Sequence, residues 1–194
     1  MKKMAVFCGS SLGFRKAYQE QAIELADHFV SASIGLVYGG GKIGMMGVLA
    51  NRMLAQKGSV IGVIPGLLTH EEVVHNGVEQ MIITKTMSQR KMEISKLADG
   101  YIALPGGFGT LDEIFEALTL SQLGIEQKPV GILNTLGFFD PLIAQLDRMV
   151  KEGYLKNTNR EMLIVSDQVA TLLRNMDAYK APEITKVINK VVRP

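Results

Sequence analysis

Short, continuously apolar runs alternate along the chain with longer stretches in which apolar residues recur every three or four positions. The runs are Met4 to Cys8, Gly35 to Tyr38, Val60 to Ile64, Gln80 to Thr84, Tyr101 to Leu104, Val130 to Leu133 and Leu163 to Val165. Most lack polar alternation, which predicts strands buried on both faces, as in a parallel sheet covered by helices on either side. The longer stretches predict helices over Ala17 to Ala32, Met45 to Gln56, Met87 to Ala98, Leu111 to Leu123, Asp140 to Glu152 and Asp167 to Met176. Strand and helix in this alternation specify an α/β fold with a doubly wound parallel sheet. No repeat, linker or low-complexity segment interrupts residues 1–194, so one domain is expected, with Pro182 to Val192 of the 182–194 tail forming a short basic helix.

Composition narrows the function classes. With 47% hydrophobic and 21% charged residues the chain is ordinary globular material. At 194 residues it can bury roughly 70% of its extended surface, so a core forms without staples. A net charge of +2 gives no polybasic surface for nucleic acid or membrane, and neither is expected as a partner. The single cysteine, Cys8, has no partner for an intrachain disulfide and lies in an apolar run, which predicts a buried thiol. Without a signal-length or membrane-length apolar span, the expected location is cytoplasmic. No metal is expected either. His70 and His75 flank two glutamates in a way that resembles a zinc-protease helix, but five-residue spacing puts them about 140° apart where four-residue spacing is needed.

The glycines point to a ligand. They follow successive predicted strands, in Gly9-Ser10-Ser11-Leu12-Gly13, Gly39-Gly40-Gly41-Lys42-Ile43-Gly44, Pro65-Gly66 and Pro105-Gly106-Gly107-Phe108-Gly109-Thr110. In a doubly wound sheet these loops emerge at the carboxyl edge, where ligands bind, so Ser10, Gly40 and Gly106 join the candidate site. The second loop matches G-x-G-x-x-G, yet the next strand ends in Pro65-Gly66-Leu67 and not in the acid that would hold a dinucleotide's ribose. A Walker loop fails as well, because no Gly-Lys-Ser/Thr follows at the required spacing. A monophosphate fits better than either.

Pro105 to Glu113 is the strongest local signal. Glycine amides together with the N-terminus of a helix starting near Leu111 would cradle a phosphate. The same residues satisfy a capping box, in which Thr110 and Glu113 only close the helix start. Glu113 is the residue on which these two readings differ. Arg90-Lys91 stands in the first turn of the preceding helix, where the helix dipole disfavours cations, so Arg90 is a candidate counter-charge selected by something else.

The run Pro105-Gly106-Gly107-Phe108-Gly109-Thr110-Leu111-Asp112-Glu113 resembles the PGGxGTxxE signature of the LONELY GUY (LOG) family. Val6 to Ser11, Tyr38 to Gly47, Met87-Ser88-Gln89-Arg90-Lys91, Gln122 to Ile125 and Lys128 to Gly131 agree in order and spacing, so the resemblance spans about Met4 to Val165. It implies a Rossmann-like homodimer that hydrolyses the N-glycosidic bond of adenine-type nucleoside 5′-monophosphates, N6-prenylated cytokinin precursors included, to free base and ribose 5-phosphate without a cofactor. Position by position, it makes Arg90 and Glu113 catalytic, and Glu72, Lys91, Gly107, Phe108, Gly109, Thr110, Leu111, Asp112, Glu113 and Thr119 substrate-binding. The sequence departs from the pattern at Ser88 for a histidine, Asp112 for a glutamate, and Leu120-Ser121 for tryptophan-alanine. Two other readings accompany this one. A non-catalytic nucleotide or molybdenum-cofactor carrier of similar fold needs the cradle but not the acid. A lysine decarboxylase needs a lysine for a Schiff base.

Overall fold

The computed structural model describes residues 1–69 and 73–182. Among them, seven strands form one sheet: β1 (Lys3–Phe7), β2 (Gly35–Tyr38), β3 (Val60–Pro65), β4 (Gln80–Thr84), β5 (Gly100–Ala103), β6 (Val130–Leu133) and β7 (Leu163–Ser166). All neighbours are parallel, in the order β4-β3-β2-β1-β5-β6-β7. The helices are α1 (Lys16–Ser31), α2 (Gly44–Ala55), α3 (Met87–Leu97), α4 (Phe108–Gln122), α5 (Asp140–Lys151), α6 (Asn157–Arg160) and α7 (Val169–Asp177). The expected doubly wound α/β architecture is therefore present. None of the described helices is long and apolar enough to cross a membrane.

The period-two geometry of the strands sorts the core into two layers. Met4 and Val6 of β1 face Leu25 and Phe29 of α1, Leu49 and Met53 of α2 and Leu172 of α7. Ala5 and Phe7 point the other way, toward Ile94 of α3, Ile114 and Ala117 of α4 and Leu146 of α5. Both faces of the sheet are covered, which is why its central strands carry no polar alternation. β4 lies at the edge, and its residues are correspondingly exposed or half-buried.

Element boundaries fall within a few residues of the sequence pattern, with one consequential exception. The fourth long helix begins at Phe108 and not near Leu111, and its N-cap is Gly107, which makes no side-chain cap. Thr110 is thus already inside the helix, and no capping box forms there. The short α6 and the 3-10 turns Gly66–Leu68 and Thr135–Gly137 lack the length for a readable periodicity. The tail helix expected over Pro182 to Val192 lies outside the described residues beyond Pro182.

Chain order reverses between β1 and β5. From β1 the chain steps outward to β4, then returns to lay β5 against the other side of β1 with Val6 opposite Ile102 and Phe7 opposite Ala103. The loops leaving these two strands diverge to opposite faces and open a crevice at their carboxyl ends. Ile102 is fully buried at the centre of this pair. Replacing it with alanine should cost about 2–5 kcal/mol, read as a lowered urea midpoint with an unchanged slope.

Candidate functional site

Backbone hydrogen bonds stitch the crevice together before any side chain contributes. The Gly9 amide donates to the Pro105 carbonyl at 3.0 Å, and the Gly9 carbonyl accepts from the Met45 amide at 3.1 Å. The loops after β1, β2 and β5 are thereby fixed to one another at the sheet's carboxyl edge. Between them lies a cleft of about 280 Å³ whose lining includes Ser10, Gly39, Arg90, Thr110 and Glu113. Pro65 and Gly66 are not part of that lining, so three of the four glycine loops converge and the start of α3 supplies the remaining wall through Met87 and Arg90.

The β5–α4 loop combines close packing with open space. A Cβ at Gly106 would sit 2.1 Å from Thr110 Oγ1 and 2.8 Å from the Gly9 nitrogen, so only glycine allows this approach. At Gly107 and Gly109 a Cβ would meet nothing within 4 Å. Their missing side chains leave room over the first turn of α4. The first intrahelical bond there runs from the Leu111 amide to the Gly107 carbonyl, so the amides of Phe108, Gly109 and Thr110 precede it at the positive end of the helix. The Phe108 ring stands exposed at the rim.

Beneath this rim of helix-terminal amides lies a buried ion pair. Arg90 Nη1 donates to Glu113 Oε1 at 2.7 Å, with the side chains 15% and 8% exposed. Arg90 Nε donates to the Val63 carbonyl at the end of β3, 3.1 Å away, which fixes the guanidinium plane. Gly39 makes room for it, since a Cβ there would lie 2.6 Å from Arg90 Nη2. The Glu113 carboxylate therefore meets Arg90 and not a helix cap.

A side-chain cap does exist, one helix earlier. The Thr86 hydroxyl accepts from the Gln89 amide at 3.1 Å, and the Gln89 side chain accepts from the Lys85 amide at 3.0 Å. These two bonds fix the turn immediately before Arg90. The pattern Thr86-x-x-Gln89 was readable in the sequence and marks the true cap of the site.

Charge at the site is set by burial and neighbours. Burial pushes the Glu113 carboxyl up; Arg90 and Lys91 pull it down, Glu116 and Asp112 push it up again, and the result lies above the ordinary glutamate value. Burial also pushes the Cys8 thiol up to about 12, so this cleft-lining sulfur stays protonated and is a poor nucleophile.

Of the remaining candidates, Phe108 and Asp112 line the cleft together with Gly107 and Gly109. Lys91 does not; its ammonium lies 2.7 Å from Asp112 Oδ2 and 2.8 Å from Glu116 Oε2. Leu111 packs against the core, and the exposed Thr119 bonds its hydroxyl to the Phe115 carbonyl at 2.7 Å. The Gly40 carbonyl accepts from the His75 amide at 2.9 Å, tying the second glycine loop to the segment after β3. His75 itself accepts from the Gly77 amide through Nδ1 and faces Asn51 Oδ1 through Nε2. Glu72 lies outside the described residues.

A family model described as "possible lysine decarboxylase" matches residues 46–176. Cytokinin riboside 5′-monophosphate phosphoribohydrolase LOG2 of Arabidopsis thaliana is 39% identical over 191 residues, covering 98% of this chain and 89% of that protein. A probable cytokinin riboside 5′-monophosphate phosphoribohydrolase of Oryza sativa subsp. japonica, LOGL2, is 40% identical across 98% of this chain and 78% of its own. Among solved structures, the molybdenum cofactor binding protein of Rippkaea orientalis superposes with a TM-score of 0.69 at 21% identity, covering 92% of this chain and 97% of that one. At that identity the match speaks to the fold.

The glycine geometry yields a paired expectation. Gly106→Ala should lower the thermal midpoint, with a cost of about 1–3 kcal/mol from overpacking against Thr110 and Gly9. Gly107→Ala, facing open space, should leave the melting temperature within the scatter of a surface change, ~0.5 kcal/mol. Equal effects at the two positions in thermal denaturation would contradict the loop geometry.

Proposed function

The chain belongs to the LONELY GUY (LOG) family, and we propose that it acts as the phosphoribohydrolases of that family do, cleaving the N-glycosidic bond of adenine-type nucleoside 5′-monophosphates to free base and ribose 5-phosphate. Its substrates are AMP, N6-substituted cytokinin riboside monophosphates, or both. The observation that carries this reading is a buried carboxylate, Glu113, paired with Arg90 beneath a rim of helix-terminal amides. A phosphate on the rim leaves a five-carbon sugar lying over the ion pair.

Departure of the base builds positive charge on the sugar, as in glycoside hydrolysis, and a carboxylate facing that carbon stabilises the transition state. Glu113 fills this role and orients the attacking water, whose hydroxyl goes to the sugar carbon while its proton leaves with the base. Arg90 holds Glu113 ionised and fixed in direction through its second bond to Val63. Ser10, the amides of Gly107, Phe108 and Gly109, and the Thr110 hydroxyl hold the 5′-phosphate, so binding energy remote from the reacting bond positions it. The chemistry uses side chains and water alone.

Pyridoxal phosphate, which the decarboxylase description implies, does not fit the residues present. Its Schiff base needs a lysine. Among the described residues no lysine lines the cleft, and Lys91 is engaged by two carboxylates. The carrier reading is favoured by the superposition with a molybdenum cofactor binding protein, but such a carrier has no need of the buried acid. A homodimer in the cytoplasm completes the proposal, supported by the apolar exposure of Met87, Met92, Leu123 and Ile125 around α3 and α4. Sedimentation velocity should show a single species of twice the chain mass.

Chromatography of the purified protein with AMP and with an N6-substituted riboside monophosphate should show free base and ribose 5-phosphate. Glu113→Gln should lower kcat by ~10² or more while nucleotide affinity persists. A carrier would bind both forms equally and turn over neither substrate. Removing the 5′-phosphate should reduce kcat/KM by at least about tenfold through loss of remote binding energy.

The pH profile follows from the shift at Glu113. Its carboxylate must be ionised, and its value is raised, so activity should begin to fall, as pH decreases, at a pH above the ordinary glutamate range. An acid limb within or below that range in kcat/KM would argue against Glu113 as the group required in its charged form.

A further inference from the structure

Arg90 and Lys91 are consecutive in α3 yet point into different spaces. Arg90 lines the cleft under the glycine rim, whereas Lys91 is absent from that lining and borders a second cavity of about 340 Å³ on the far side of Glu113. This second cavity lies between α3 and α4, with Phe7, Met92, Ile94, Ala117, Leu120 and Ile125 among its walls. Glu113 is shared by both spaces.

Across the same pair of helices run two parallel sets of ionic contacts. Arg90 meets Glu113 at 2.7 Å; one residue along, Lys91 meets Asp112 at 2.7 Å and, one helical turn further, Glu116 at 2.8 Å. The Lys91 side chain is only 20% exposed, against 60% and 42% for its two partners. An ammonium in this position is committed: both acids reach it across the interhelical gap. From this geometry, and resting on the function proposed above, we propose that Lys91 is a positioning residue, a cross-brace between α3 and α4 that sets the distance and charge of the Arg90–Glu113 pair.

The brace has an electrostatic side. The charged groups facing Glu113 are Arg90 and Lys91 from α3 and Asp112 and Glu116 from its own helix, with the neutral Cys8 thiol at the end of β1 across the cleft. Without Lys91, three acids would face one arginine. Burial pulls the Lys91 ammonium down, but its close contacts with the Asp112 and Glu116 carboxylates outweigh that and hold it above its ordinary value, so it stays charged throughout the range in which Glu113 titrates. The distinction from a substrate ligand is sharp: a ligand's loss appears in KM, a brace's loss in kcat and in the titration of Glu113.

The test compares Lys91→Met, Lys91→Arg and Glu116→Gln with the unaltered protein. For Lys91→Met the expected result is a kcat lowered ~10–100-fold with KM changed less than about threefold, and an acid limb moved up by about one pH unit. Lys91→Arg, which keeps the charge and can reach both acids, should recover at least about a third of the activity. A Lys91→Met protein whose KM rises about tenfold or more, with kcat and acid limb unmoved, would make Lys91 a substrate ligand and overturn the proposal.

A second readout needs no turnover. In protein labelled with carbon-13 at the glutamate side-chain carboxyl, the Glu113 resonance should titrate higher in Lys91→Met than in the unaltered chain. In Glu116→Gln, which removes a neighbouring negative charge, it should titrate lower. Unmoved titrations in these variants overturn the brace, whatever the protein does with nucleotides. Absence of base release by the unaltered protein would sink the hydrolase reading alone. If Lys91→Met does not fold, Glu116→Gln and Lys91→Arg carry the test.

Discussion

A carboxyl group held against a guanidinium in a dry place is the constraint on which this site depends. Glu113 sits on the inner side of α4 and is 8% exposed, where an isolated charge would cost several kcal/mol even after relaxation. It is tolerated because Arg90 approaches it at 2.7 Å and because Arg90 is itself anchored to the Val63 carbonyl. Removing either partner would strand the other. Such a pair is weak evidence for stability, since apolar residues of equal volume would serve a core as well, and that makes its presence at the mouth of a crevice informative.

Much of the fold exists to bring these two side chains together. Arg90 comes from the helix after β4, at one edge of the sheet, and Glu113 from the helix after β5, near its centre. They meet because α3 and α4 pack on the same face, through Ile94, Ile114 and Ala117. The return of the chain from β4 to β5 is what creates both the crevice and this adjacency. Gly39 then removes the one Cβ that would block the guanidinium, and Thr86 with Gln89 holds the turn that presents it.

The strands were legible in the sequence to within about a residue, the central ones because burial on both faces leaves an unmistakable apolar run. The long helices were almost as clear. What failed was local: Thr110 and Glu113 match a capping box in spelling, yet the helix starts earlier, at Gly107-Phe108, since glycines without packing constraints allow the backbone to turn before the threonine. Pattern could not decide that, because a helix cap and a phosphate cradle share residue types. Nor could it reveal that Lys91 faces away from Arg90's cleft, for a difference of one residue in a helix is a rotation of about 100°, and only the packing of α3 against α4 determines which of two adjacent cations enters the site.

The relation to the molybdenum cofactor binding protein sharpens where function resides. The two chains share a fold at 21% identity. Backbone amides are available to almost any sequence that makes the same loops, so a cradle by itself distinguishes neither carrier from hydrolase. An acid buried against an arginine is different: it costs folding energy, requires a glycine at 39 and a cap at 86, and brings two further acids that Lys91 must balance. Binding a phosphate explains none of these expenditures. Under the proposed function the buried acid and its arginine would stabilise positive charge on a sugar during bond cleavage, which is why the side chains beneath the rim, and not the rim, carry the proposal.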